Sequence, residues 1–338
     1  MAPSGAYILG CAGPHLSREE AAFFAEARPW GFILFARNIE TPRQTAALTA
    51  DLRSAVGWEA PILIDQEGGR VQRMGPPHWR QWRPPLDQVA HVDDDAAERS
   101  LYLRSRLIAD ELHRVGIDVN CTPLGDIASS RTHPFLRNRC YGDTPEKVTR
   151  RARAVATGNL AGGILPVVKH MPGHGSSASD SHFTPPRLNA TPERLHAWDF
   201  APFAALADLP LGMTSHVIYT PYDDKPATVS PRMIRLLREE LSFGGLLMTD
   251  DISMEALGGT VAERGAAALA AGCDLVTHCN GKLDEMRALA DVAGVMSAES
   301  AGRAHAALAL RKPPTPIDIP AAEAELEVLL NGEVYGAG

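Results

Sequence analysis

Eight short apolar runs recur along this sequence, each separated from the next by a stretch of helical periodicity, and this alternation restricts the fold more than any other feature. The runs are 6–13, 31–37, 61–66, 116–124, 163–170, 211–217, 245–251 and 273–279. They are nearly unbroken in apolar residues, as in strands covered on both faces, and such strands pair in parallel. Between them, 93–115 and 230–242 carry apolar residues at helical spacing, the second opened by Ser230 as N-cap with Pro231 at the first helical position. Eight strand–helix units predict an α/β fold, a single closed (β/α)8 barrel of TIM type, rather than an open sheet. The barrel is expected over residues 1–312. Residues 313–338 begin with Pro313, Pro314, Pro316 and Pro320 and read as a Pro-rich tail with one short helix from Ala321 to Leu330, too small for a second domain.

The 338 residues carry 33 Lys and Arg against 41 Asp and Glu, a formal charge of −8, and no basic run. Such a field repels polyanions, so neither nucleic acid nor an anionic membrane surface is an expected partner. No segment approaches the roughly 18 consecutive apolar residues of a membrane span. Cys11, Cys121, Cys140, Cys273 and Cys279 are odd in number and form no CxxC pair, which points to free thiols in a reducing compartment. Ile8-Leu9-Gly10-Cys11 looks like the end of a bacterial lipoprotein signal, but no Lys or Arg precedes it and its apolar run is short. It reads as the first core strand.

Polar residues and glycines gather just after the runs, where the C-terminal mouth of a barrel collects catalytic groups. The densest cluster is 169–182, KHMPGHGSSASDSH. His170, His174 and His182 could supply three imidazoles to zinc, but they sit on a Gly/Pro loop and match no common zinc spacing, so no metal is expected. A loose GxGxxA at 173–178 is followed by Pro185 and Pro186, which forbid the helix that a dinucleotide needs, and no cofactor is expected. A third reading makes the histidines mere strand-end caps. Acid/base catalysis fits better: Asp180, two residues from His182, can accept its N–H, fix its tautomer and raise its basicity. Asp250 in Thr249-Asp250-Asp251 would project into the mouth as nucleophile or electrostatic stabiliser, leaving Asp251 to cap a helix.

Asp65 ends the third run, and Gly68-Gly69 allows a sharp turn there. A mouth carboxylate that does not react suits two vicinal hydroxyls, with Arg70 or Arg73 to neutralise it or bind substrate. Lys169 and His170 could donate to the same ligand. Several donors and acceptors around one acid/base pair describe a sugar site better than an acyl or phosphoryl site, and neither a GxSxG elbow nor a GxxxxGK[ST] loop is present.

The motifs ILIDQEGGRVQR, LRNRCYGDTPE, VVKHMPGHG with SDSH, and GGLLMTDDISM resemble, in order and approximate spacing, those of the bacterial β-N-acetylglucosaminidases of glycoside hydrolase family 3. The likeness runs from the second strand through the eighth. It implies that Asp250 is the nucleophile and that His182, assisted by Asp180, is the general acid/base. It further implies that Asp65, Arg73, Arg139, Lys169 and His170 bind the N-acetylglucosamine ring. Two departures, Gly244 where the family often has an acid and Met171 where an aromatic is common, touch no proposed reacting group. The family's one-domain form implies a cytoplasmic monomer that removes N-acetylglucosamine from peptidoglycan-derived muropeptides in cell-wall recycling. Two other readings stay open at this point: action on chitooligosaccharides, and a non-catalytic sugar-binding barrel.

Overall fold

The computed structural model describes residues 4–336, apart from 91, 177–184 and 256. All eight runs contain a strand of one closed barrel: β1 (Gly5–Gly10), β2 (Pro29–Leu34), β3 (Ile62–Ile64), β4 (Val119–Asn120), β5 (Leu165–Met171), β6 (Leu211–Thr214), β7 (Leu246–Asp251) and β8 (Leu275–His278). Each pairs in parallel with its sequence neighbours, and β8 closes on β1 through Tyr7 opposite Val276. The fold is a single (β/α)8 barrel. β3 is shorter than its run because the chain leaves the barrel at Asp65 for a small hairpin, Gln66–Gly68 against Val71–Gln72. Gly68 and Gly69 make that turn with φ of +96° and +61°, the region a Cβ disfavours.

Alternation along the strands sorts the core into two layers. Ile8, Ile33, Leu63, Val119, Val167, Leu211, Met248 and Leu275 fill the barrel interior, while their neighbours Leu9, Phe32, Ile64, Val168, Leu247 and Val276 pack outward under the helices. This parity positions the site. Side chains two residues apart on a strand share a face, so Asp65 follows Leu63, Lys169 follows Val167 and Asp250 follows Met248 on the interior side. Each stands at the C-terminal end of its strand, where the interior opens.

The outer layer includes α1 (Arg18–Ala27), α2 (Pro42–Val56), α3 (Asp94–Arg114), α4 (Pro145–Ala161), α5 (Pro231–Arg235), α6 (Val261–Ala271), α7 (Leu283–Ala293) and α8 (Ala298–Leu308). Ser230 caps α5 by accepting the Met233 N–H, as its position in the sequence suggests, and Asp93 caps α3 by accepting the Ala96 N–H. α5 does not run on as regular α-helix to 242; it widens into π-type turns over Leu236–Glu240. The tail lies along the barrel. Arg106 donates to the Thr315 carbonyl, and α9 (Ile319–Leu329) buries Ala322 and Leu326 and pairs Glu323 with Arg80 and Glu325 with Arg99 across to the α3 side. The five cysteines are free and buried. Among the described residues no helix is long and apolar enough to cross a membrane.

Candidate active site

The open end of the barrel is a cup of about 900 Å³, continuous with solvent and lined in part by Asp65, Arg73, Arg139, Lys169, His170 and Asp250. Six of the eight residues singled out from the sequence therefore meet in one place. The other two, Asp180 and His182, lie outside the described residues.

One wall is a lattice of ion pairs. Lys169 Nζ, at the end of β5, donates to Asp65 Oδ1 at 2.7 Å and to Glu67 Oε1 at 2.6 Å. Arg73 Nη2 donates to Asp65 Oδ2 at 3.1 Å. Arg139 meets Glu67 in two parallel bonds, Nε to Oε2 at 2.8 Å and Nη2 to Oε1 at 2.9 Å. Burial alone would raise the Asp65 carboxyl, but Lys169 and Arg73 outweigh it and hold the group well below the usual carboxylate range. Glu67 is lowered against the same burial by Arg139 and Lys169. Lys169, although only 2% exposed, resists the downward pull of burial because Asp65 and Glu67 stabilise its charge. The sequence reading missed Glu67. Arg70, weighed as a neutraliser of Asp65, does not pair with it; its guanidinium lies over the Phe135 ring, 4.1 Å from the centroid.

The other wall carries Asp250. It is half-buried at the end of β7, and its Oδ1 accepts the Asp251 N–H at 2.8 Å. Burial would raise its carboxyl, but His170, then His216, lower it below the ordinary value, so Asp250 is ionised at neutral pH. Asp251 does not cap a helix. It accepts from Ser253 N at 3.0 Å and Ser253 Oγ at 2.6 Å, and from the Cys279 N–H, closing the turn after β7; α6 is capped by Thr260 instead. His216 donates its Nε2–H to the Asp251 carbonyl at 3.0 Å, and its Nδ1 lies 2.8 Å from the Thr228 hydroxyl.

His170 is oriented by a residue for which the sequence reading had no role. Asp126 Oδ2 accepts its Nδ1–H at 2.7 Å, which leaves Nε2 for a ligand. The other oxygen of Asp126 accepts the backbone N–H of His174 at 2.7 Å. His170 and His174, two of the three imidazoles weighed for zinc, stand with ring centres 6.0 Å apart.

A mouth lined with carboxylates, a lysine and arginines, with one ionised aspartate apart from the ion pairs, is the equipment of a glycosidase. Residues 9–306 match the glycosyl hydrolase family 3 N-terminal domain. The chain belongs to glycoside hydrolase family 3. It is 39% identical over 273 residues to the β-hexosaminidase of Methylococcus capsulatus, covering 79% of this chain and 80% of that one. It is 36% identical to the β-hexosaminidase of Pseudomonas aeruginosa PAO1, covering 85% and 86%. Among solved structures it superposes on NagZ from Neisseria gonorrhoeae in complex with N-trifluoroacetyl-D-glucosamine with a TM-score of 0.85, 30% identity, and coverage of 97% of this chain and 98% of that one. As a member of family 3 the protein is a glycoside hydrolase.

Within this family 3 site, the segment that leads toward Asp180 and His182 is firmly rooted. Tyr219 Oη donates to the Gly173 carbonyl and Thr132 Oγ1 to the Gly175 carbonyl. A Cβ on Gly175 would come within 2.2 Å of the Ile127 carbonyl oxygen, so only glycine allows this approach.

Proposed function

We propose that the protein is a retaining, exo-acting β-N-acetylglucosaminidase. Asp250 is the nucleophile, His182 the general acid/base and Asp180 its orienting partner, while Asp65, Arg73, Arg139, Lys169 and His170 hold the N-acetylglucosamine ring. The observation that carries this reading is Asp250 itself: an ionised carboxylate at a strand end, across the barrel from a lattice of donors and acceptors suited to hydroxyls. In the first step a carboxylate oxygen of Asp250 attacks the anomeric carbon as the glycosidic bond breaks, and His182 gives its proton to the leaving oxygen. In the second, His182 takes a proton from water, whose oxygen attacks the same carbon and releases Asp250. A neutral imidazole between the steps places no second negative charge beside the glycosyl ester, and its reference pKa of about 6.5 lies near working pH.

The substrate in this reading is a peptidoglycan-derived muropeptide, cleaved by a monomer in the cytoplasm during cell-wall recycling, and residues 1–312 form the catalytic unit with 313–338 as a tail laid over it. The deciding assay compares an anhydro-muropeptide with chitobiose at equal concentration. Faster release of N-acetylglucosamine from the muropeptide supports the reading; a preference for chitobiose shifts it to chitooligosaccharides. Replacing His182 by Ala should slow substrates with poor leaving groups far more than activated aryl glycosides, and equal losses on both would remove His182 from the acid role.

A further inference from the structure

Among the described residues, three buried side-chain atoms of residues that line the cup have no hydrogen-bond partner: Arg73 Nε, Thr277 Oγ1 and His174 Nε2. Arg73 is already engaged through Nη2 to Asp65, and a threonine hydroxyl is a small group that swings. His174 is different, because the fold holds it in place. Its own N–H is fixed by Asp126 Oδ1, the carbonyl before it by Tyr219 and the carbonyl after it by Thr132. The chain is also wedged between neighbouring backbones: a Cβ on Gly173 would meet the Asp199 carbonyl oxygen at 2.6 Å, and one on Gly175 the Ile127 carbonyl oxygen at 2.2 Å. The backbone that carries the ring is thus fixed on both sides of it.

Burial lowers the imidazole to about 4, with Asp126 opposing, His170 and Arg139 adding to the fall and Asp250 opposing again. At neutral pH the ring is uncharged and each nitrogen is a donor or an acceptor according to tautomer. Leaving such a nitrogen unbonded destabilises an empty protein, and an unbonded buried polar atom on a residue that lines a binding cup is expected where the ligand supplies the missing partner.

We propose that His174 is a sugar-binding residue whose Nε2 hydrogen-bonds a polar substituent of the ring held in the cup. The inference rests on the N-acetylglucosaminidase reading, and adds a neutral contact to a set otherwise dominated by charged groups. The free protein keeps this bond unmade, and the sugar completes it.

The test uses the full chain with His174→Leu and His174→Gln, reading the melting temperature without ligand, the Kd for N-acetylglucosamine by calorimetry, and KM and kcat on an aryl N-acetyl-β-glucosaminide. His174→Leu removes the unmet bond, so the free variant should melt at or above the temperature of the unmodified protein while binding N-acetylglucosamine about tenfold more weakly. His174→Gln restores an N–H and a carbonyl near the same place and should recover binding to within about threefold. Unchanged sugar affinity in His174→Leu overturns the proposal. So does a lower melting temperature with an affinity loss that His174→Gln fails to recover, since that marks a purely structural histidine. If the unmodified protein neither binds N-acetylglucosamine nor cleaves the aryl glycoside, the functional reading itself falls; unchanged affinity in an active variant refutes the role of His174 alone.

Discussion

The two walls of the cup are built on opposite principles. On the β3 and β5 side, Asp65, Glu67, Lys169, Arg73 and Arg139 are bonded to one another, and every charge meets its opposite. On the β7 side, Asp250 is half-buried, like Asp65, yet among the described residues no ammonium or guanidinium bonds it; one backbone N–H and two nearby imidazoles keep it ionised. The contrast separates holding from reacting. A carboxylate with both oxygens in charge-assisted bonds is fixed and weakly nucleophilic, which suits a group that orients hydroxyls. A carboxylate kept ionised by more diffuse fields retains lone pairs for an anomeric carbon.

Substitutions on the two walls should therefore fail in different ways. Asp250→Asn should lower turnover of an aryl N-acetyl-β-glucosaminide by on the order of 10³-fold or more while leaving the melting temperature near that of the unmodified protein. Near-normal turnover would erase the distinction between the walls. Glu67→Ala should do the reverse in emphasis: it leaves the buried Arg139 without its carboxylate and Lys169 with Asp65 alone, and losing one partner of such a set destabilises by about 3–5 kcal/mol, measurable by denaturant unfolding. Asp126 links the walls, since it holds the His170 ring and the His174 backbone. Asp126→Ala should cost about tenfold to a hundredfold in kcat/KM through misplacement of both imidazoles, with less loss of stability than Glu67→Ala.

The reacting wall and the holding wall were not equally legible in the sequence. Parity along buried strands brings Asp65, Lys169 and Asp250 inward, and an apolar run ending in an acid or a lysine announces it. The eight runs likewise locate all eight strands, although β3 and β4 end early where the chain turns off into loops. What the pattern conceals is pairing. Glu67 lies two residues beyond Asp65 on the same stretch, a spacing that hints at a shared face, but its bond to Arg139 spans 72 residues of sequence and depends on the barrel being closed. Asp126 sits in a loop with no periodicity to interpret. Arg70 and Arg73 are equivalent in the sequence, and only the geometry of the hairpin sends Arg73 to Asp65 and Arg70 to the Phe135 ring. Asp251 resembled a helix cap because an acid often precedes a helix; here nine residues intervene before α6 and the carboxylate closes a turn instead.

The comparison also has a pH signature, smaller than the effects above. Asp65 and Glu67 titrate below their unfolded values because Lys169, Arg73 and Arg139 outweigh burial. A carboxyl depressed in the folded state binds fewer protons there than in the unfolded chain, so its contribution to stability is complete above the unfolded pKa of about 4 and is lost as the pH falls toward the folded value. Asp250 is lowered too, but without an ion pair. Unfolding free energy measured from pH 6 downward should consequently fall steeply below about pH 4 in the unmodified protein, and the slope should flatten in Asp65→Asn, which removes a proton-linked group from the holding wall. Asp250→Asn should change that slope less. If the two variants flatten it equally, the reacting carboxylate is tied into the protein's charge balance as tightly as the holding one, and the division of labour between the walls does not extend to their energetics.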